Sequence, residues 1–122
     1  MKKLENSVLT SKKYSVSQYE IDSFAAVSGG MGTIHTDPDY ALNTIFKKTL
    51  VHGLYLLALI EKEVSMLFEG ETAVSELNVI YLKPVLAKQE FQIKFIKKLE
   101  EQWEIILESD DQVMVKGTVS LK

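Results

Sequence analysis

The chain has 122 residues, enough for one hydrophobic core and too few for two, so residues 1–122 are expected to form a single domain. Hydrophobic residues make up 46% and charged residues 25%, a globular balance, and the net charge of −3 argues against a nucleic-acid partner. Without cysteine there is no disulfide, thiolate nucleophile or cysteine metal site, which suits a reducing compartment.

The start, "MKKLENSV", is basic but no apolar run follows it, and "GLYLLALI" is too short to cross a bilayer. A cytoplasmic protein without membrane contact is expected. From residue 7, "SVLTSKKYSVS" alternates and predicts a strand. "SVSQYEIDSFAAVSGG" predicts a helix capped by Ser15 or Ser17, with Ile21, Phe24, Ala25 and Val27 as its apolar face and Gly29 and Gly30 as its end. "MGTIHT" reads as a loop. "DPDYALNTIF" reads as a short helix with Asp37 as N-cap and Pro38 at the first helical position.

Gly53 to about Leu67 predicts the central helix, with Gly70 as its stop. Its first two turns are apolar on nearly every side and should be buried on nearly every side. Four strand-like runs follow: "TAVSELNVIYLKPVL", "EFQIKFIKKL", "WEIILES" and "VMVKGTVSL", parted by charged turns such as "EEQ" and "SDDQ". The expected class is α+β, an antiparallel sheet of about five strands wrapped around a long central helix. The helix is more apolar than one small sheet can hide, and the sheet has edges to protect, so a homodimer or higher homo-oligomer is expected.

The stretches "FAAVSGGMGTIHTDPDYA", "VHGLYLLALI" and "YLKPV" resemble the MaoC-like (R)-specific enoyl-CoA hydratases and hydroxyacyl thioester dehydratases, which have the hot-dog fold. The resemblance runs from about Tyr19 to Val85. Phe24, Ala25, Ser28, Gly29, His35, Asp37, Pro38, Ala41, His52, Gly53, Lys83, Pro84 and Val85 carry it. It implies an acyl-CoA or acyl-carrier-protein thioester as substrate, and reversible hydration of a 2-enoyl-CoA as the reaction. No cofactor beyond the substrate's own CoA, and no metal, is implied. His35 would be the acid–base residue, and the Gly53 amide would polarise the thioester carbonyl. Gly30, Gly32, Ile34, His52, Leu54 and Tyr55 would contact substrate, and Lys83 and Lys88 a CoA phosphate.

Two positions depart from the family pattern. Gly30 stands where the family has its catalytic aspartate, and Gly32 where it has an asparagine. Glycine moves no proton, so another group must partner His35. If only the carboxylate is missing, Gly30→Asp should raise the rate. The open space at these glycines would otherwise widen the pocket. Glu61 is the alternative carboxylate: helical spacing sets it near Leu54, Leu57 and Ala58, on a face expected to be buried. "HGLYLLALIE" also has the His-to-acid spacing of hot-dog acyl-CoA thioesterases. Thioester hydrolysis through Glu61 is the rival enzyme, and a non-catalytic acyl-CoA-binding protein the third reading.

Overall fold

A computed structural model of the chain describes residues 8–68, 74–99 and 101–122. The elements run β1 (Val8–Thr10), α1 (Gln18–Ser28), α2 (Thr33–Thr36), α3 (Pro38–Leu42), α4 (Gly53–Leu67), β2 (Val74–Tyr81), β3 (Gln92–Leu99), β4 (Gln102–Ser109) and β5 (Gln112–Leu121). One antiparallel sheet holds all five strands in the order β1-β3-β4-β5-β2. The strands β3, β4 and β5 form a meander, and β2 crosses back to pair with β5. The expected α+β architecture is present.

The meander follows from local chemistry. On β4, Trp103, Ile105, Leu107 and Ser109 are buried while the residues between them are half-buried, the period-two pattern of a strand with one face inward. Asp110 and Asp111 join β4 to β5 with φ of 51° and 64°, the paired left-handed geometry that lets a two-residue hairpin follow sheet twist. Central helix α4 lays Leu56, Ile60 and Val64 on this face, against a core that includes Ile93, Phe95, Ile105, Leu107 and Val115. Phe68 closes its far end with edge-on contacts to Phe95 and Trp103, ring centres 6.3 and 5.0 Å away. Burying one such side chain contributes roughly 1.5–3 kcal/mol.

Helix α1 begins at a capping box: the Ser17 hydroxyl accepts from Glu20 N–H while the Glu20 carboxylate accepts from Ser17 N–H. Of the two expected caps, Ser17 is the one used. The helix ends at Gly29, whose φ of 84° is a left-handed conformation that glycine adopts without strain. Asp37 caps α3 as expected, accepting from the amides of Asp39 and Tyr40.

Several expectations need correction. The first strand is short: after β1 only an isolated bridge, Tyr14 with Phe91, continues the pairing. The "MGTIHT" segment is not all loop, because Thr33–Thr36 closes a single helical turn. Helix α3 stops at Leu42, before "NTIF". The run "LKPV" leaves the sheet after Tyr81, consistent with the missing donor of Pro84. Val27 is 87% exposed rather than part of the buried face of α1.

Helix α4 is not buried all round either. Leu54 is 64% exposed, and Ala58 and Glu61 are exposed beside it, because a single sheet covers one helix face only. Gly70, the expected stop of α4, lies outside the described residues, as do Ser7, Thr72, Ala73 and Glu100 at the edges of predicted strands and turns. Among the described residues, no helix is long and apolar enough to cross a membrane.

Candidate active site

Three elements meet at the N-terminus of α4. The end of α1 brings Phe24 and Ser28, the loop and turn after it bring Gly29, Gly30 and His35, and α4 brings His52, Gly53 and Leu54. Together they line a cleft of about 270 Å³.

His35 and His52 are stacked, ring centres 4.0 Å apart and planes inclined by 19°. Each ring is anchored by a backbone carbonyl. His35 Nδ1 lies 2.8 Å from Leu50 O, and His52 Nε2 lies 2.7 Å from Gly30 O. A carbonyl only accepts, so each of these nitrogens carries a proton. In the neutral rings the lone pairs therefore sit on His35 Nε2 and His52 Nδ1. His52 Nδ1 is buried and has no partner among the described residues. Phe24 meets the His52 ring at a tilt, ring centres 5.1 Å apart, and also meets Tyr55 edge-on at 5.2 Å.

The space at Gly30 is not open. A Cβ built there would lie 2.9 Å from His52 Cδ2 and 3.0 Å from His52 Nε2. The imidazole of His52 thus occupies the region into which a side chain at position 30 would grow. This corrects the expectation of a pocket widened at Gly30. At Gly32 a Cβ would meet only His35 Cδ2, at 3.7 Å, so that position has ordinary room.

Helix α4 starts at Gly53, with His52 as its N-cap but no side-chain cap bond. The amides of Tyr55 and Leu56 turn back to His52 O, whereas those of Gly53 and Leu54 have no hydrogen-bond acceptor among the described residues. Unpaired donors and the positive end of the helix dipole thus lie at the cleft that Gly53 and Leu54 line, an arrangement suited to a carbonyl oxygen gaining negative charge. Tyr81 closes the other side of Gly53. Its hydroxyl donates to Gly53 O at 2.9 Å, and a Cβ at position 53 would lie 3.1–3.2 Å from its ring carbons. Burial pushes the Tyr81 phenol pKa up, which keeps it a donor. A second cleft, of about 330 Å³, opens beyond it between Gly53, Leu56 and Tyr81–Val85.

The remaining sequence candidates scatter. Leu54 lines the cleft with the histidines. Tyr55 turns away from it and donates to Glu20 Oε2 at 3.2 Å; burial first, then the Glu20 charge, raise its pKa. Backbone donation from Ser17 in turn lowers the pKa of Glu20. Ile34 is half-buried, and its carbonyl accepts from Leu50 N–H. Lys83 donates to Gln112 Oε1 at 2.8 Å, while Lys88 lines a different pocket.

Glu61 is exposed, not held on a buried face. The buried carboxylate of α4 is Glu63, 4% exposed, which accepts from the Tyr14 hydroxyl. Sequence reasoning missed Tyr81 as a neighbour of Gly53, since its place depends on β2 crossing the sheet. Among the described residues, no group of three His, Asp or Glu side chains is arranged to hold a metal ion.

The sequence matches the family model of the MaoC like domain over residues 1–116. The chain belongs to the MaoC-like family. No curated protein matches it. Among solved structures, the MaoC-like chain is similar to the R-hydratase PhaJ1 from Pseudomonas aeruginosa, with a TM-score of 0.79 and 22% identity, covering 93% of this chain and 77% of that one. The (R)-hydratase from A. caviae involved in PHA biosynthesis gives a TM-score of 0.79 at 19% identity, covering 94% and 92%. The ChsH1–ChsH2 complex from Mycobacterium tuberculosis gives 0.78 at 17%, covering 95% and 94%. With its sheet curled around α4, this MaoC-like domain has the hot-dog fold.

Proposed function

We propose that this MaoC-like protein hydrates a 2-enoyl thioester, or dehydrates the 3-hydroxyacyl thioester in reverse, with acyl-CoA as the substrate. The observation that carries this reading is that His35 lines the same cleft as Gly53 and Leu54, whose amides have no acceptor among the described residues. The amides would polarise the thioester carbonyl as the alpha carbon gains carbanion character. His35 Nε2, whose lone pair is left free by the bond at Nδ1, would take a proton from water as the oxygen adds to the beta carbon. The same proton would then pass to the alpha carbon, so the sum is addition of one water across the double bond.

No carboxylate faces His35 from position 30. His52 stands there instead, as the non-standard neighbour. Its ring stacks on His35 and fixes the plane in which the His35 imidazole is held. His52 Nε2 is committed to Gly30 O, which makes it a positioning residue rather than a second base.

Two copies of the chain would complete the unit. Ile80, Tyr81 and Leu82 are 62%, 48% and 52% exposed on edge strand β2 and just after it, and Leu54 is exposed nearby on α4, an apolar strip that a second copy would cover. The thioesterase alternative draws less support, because Glu61 is exposed in the single chain rather than held among apolar neighbours.

Crotonyl-CoA tests the proposal. Loss of the enoyl absorbance without release of free thiol is expected. Thiol release from a saturated acyl-CoA would favour the hydrolase, and tight thioester binding with neither outcome would favour a non-catalytic binding protein.

A further inference from the structure

The C=O of one residue and the N–H of the next belong to a single conjugated peptide group. A hydrogen bond accepted by the oxygen draws electron density from the nitrogen and makes that N–H a stronger donor. The donor strength of Gly53 N–H is therefore tied to His52 O, and that of Leu54 N–H to Gly53 O. His52 O accepts twice, from Tyr55 N–H at 3.0 Å and from Leu56 N–H at 3.2 Å. Gly53 O, the first carbonyl inside α4, takes the helical bond from Leu57 N–H. Its second bond comes from outside the helix, from the Tyr81 hydroxyl at 2.9 Å.

The sheet holds Tyr81 in place for this contact. Tyr81 ends β2 opposite Val115 of β5, which is fully buried, and the next two amides, those of Leu82 and Lys83, both donate to Met114 O at 2.8 and 3.1 Å. The ring comes this near to α4 because position 53 carries no side chain: a Cβ there would stand 3.1 Å from Tyr81 Cζ. Tyr81 lines the neighbouring cleft and not that of the histidines. It thus touches the donor peptide from outside the place where a carbonyl would sit, and acts on that peptide and not on the reacting atoms.

We propose that Tyr81 is a positioning residue: its hydroxyl pins the Gly53–Leu54 peptide and strengthens Leu54 N–H, so that two polarised amides, not Gly53 alone, hold the thioester carbonyl. The inference rests on the thioester reading above and deepens it. With Gly53 O held by both Leu57 and Tyr81, the peptide plane cannot turn its N–H away from the cleft without breaking two bonds. The carbonyl oxygen carries more charge in the transition state than in the bound substrate, so donor strength counts most there. Loss of the hydroxyl should therefore act on kcat more than on KM.

The test compares the wild type with Tyr81→Phe, which keeps the ring against Gly53 and removes only the hydroxyl, and with fluorotyrosine in place of Tyr81, a stronger donor. Burial raises the Tyr81 pKa, which keeps the fluorinated phenol protonated at neutral pH. In the free protein, the amide nitrogen resonance of Leu54 should move upfield in Tyr81→Phe and downfield with fluorotyrosine, and that of Gly53 should move less. Butyryl-CoA, isotope-labelled at its carbonyl carbon, is saturated and cannot be hydrated. Its carbonyl stretch should fall on binding to the wild type, fall less in Tyr81→Phe and fall further with fluorotyrosine. With crotonyl-CoA, Tyr81→Phe should lower kcat about 3- to 10-fold and leave KM within about 2-fold. The proposal is overturned if the Leu54 resonance or the carbonyl stretch is the same in Tyr81→Phe as in the wild type, or if butyryl-CoA shows no such fall on the wild type. A wild type that fails to hydrate crotonyl-CoA while the stretch follows the residue at position 81 sinks the hydratase reading and leaves the role of Tyr81 standing. Hydration that proceeds equally in Tyr81→Phe sinks the role of Tyr81 and leaves the hydratase reading standing.

Discussion

The imidazoles of His35 and His52 lie face to face at 4.0 Å, each tied through one nitrogen to a backbone carbonyl. This pairing fixes which atoms are free to react. His35 offers Nε2 to the cleft, whereas His52 has spent Nε2 on Gly30 O and buries Nδ1. The first prediction follows. His35→Ala should lower crotonyl-CoA hydration by about 10²–10⁴-fold, the usual worth of a general acid or base, with circular dichroism unchanged. A folded variant with the wild-type rate takes His35 out of the mechanism.

The crowding at Gly30 reverses an expectation that the sequence alone suggests. Restoring a carboxylate by Gly30→Asp drives its Cβ within 3.0 Å of the His52 ring. We expect lower stability, by about 1–3 kcal/mol, and no gain in rate. Coupling Gly30→Asp to His52→Ala should recover part of that stability, since the ring that clashes is gone. Chemical denaturation of both single variants and the double variant closes the cycle, and strict additivity would show that the two positions do not compete for space.

Exposed Glu61 predicts a null result. Glu61→Gln should change stability by less than about 0.5 kcal/mol and leave thioester turnover as it was. A large loss of free-thiol release would return Glu61 to the chemistry.

The pair Tyr14–Glu63 is structural and predicts an alkaline limit. Tyr14 donates to buried Glu63, its ring stacks on Phe91 at 5.7 Å, and Lys12 and Lys62 flank it at 5.3 and 5.9 Å. Burial, then the bond to Glu63 and its charge, raise the Tyr14 pKa above the usual 10.0. The protonated phenol is the form that the fold prefers. Its contribution is therefore whole below about pH 10 and declines as pH climbs toward the raised folded value. Thermal melts from neutral pH upward should show this decline, flattened in Tyr14→Phe. That variant should also lose about 1–3 kcal/mol at neutral pH, because Glu63 is left buried without its donor. Equal alkaline slopes in both proteins would refute the role of this phenol.

Gly117 marks a close approach of β5 to β2. A Cβ there would stand 2.0 Å from Asn78 O, which no rotamer change relieves because the obstacle is backbone. Gly117→Ala should cost at least about 2 kcal/mol and loosen β2 first. Amide exchange across Val74–Tyr81 is the measurement; unchanged protection there would mean that the strands part without penalty.

Much of the fold was legible in the chain because it rests on short-range rules. Ser17 and Glu20 cap α1 across three residues, Asp37 and Pro38 start α3, and the alternation of Trp103, Ile105 and Leu107 makes β4 a one-sided strand wherever it pairs. The motif around His35, His52 and Gly53 placed the cleft for the same reason, since the helix start that frees the Gly53 amide is local.

What only the tertiary structure decided depends on residues distant in sequence. Helical periodicity orders the residues of α4 around its axis but cannot say which side the sheet will take, and it is the packing that buries Glu63 and leaves Glu61 exposed. Nor does "SGG" announce that His52, twenty-two residues after Gly30, fills the space of a side chain that glycine lacks. Tyr81 over Gly53 likewise arises from strand crossing. Local backbone preference fixes elements; excluded volume among distant segments fixes which chemistry they bring together.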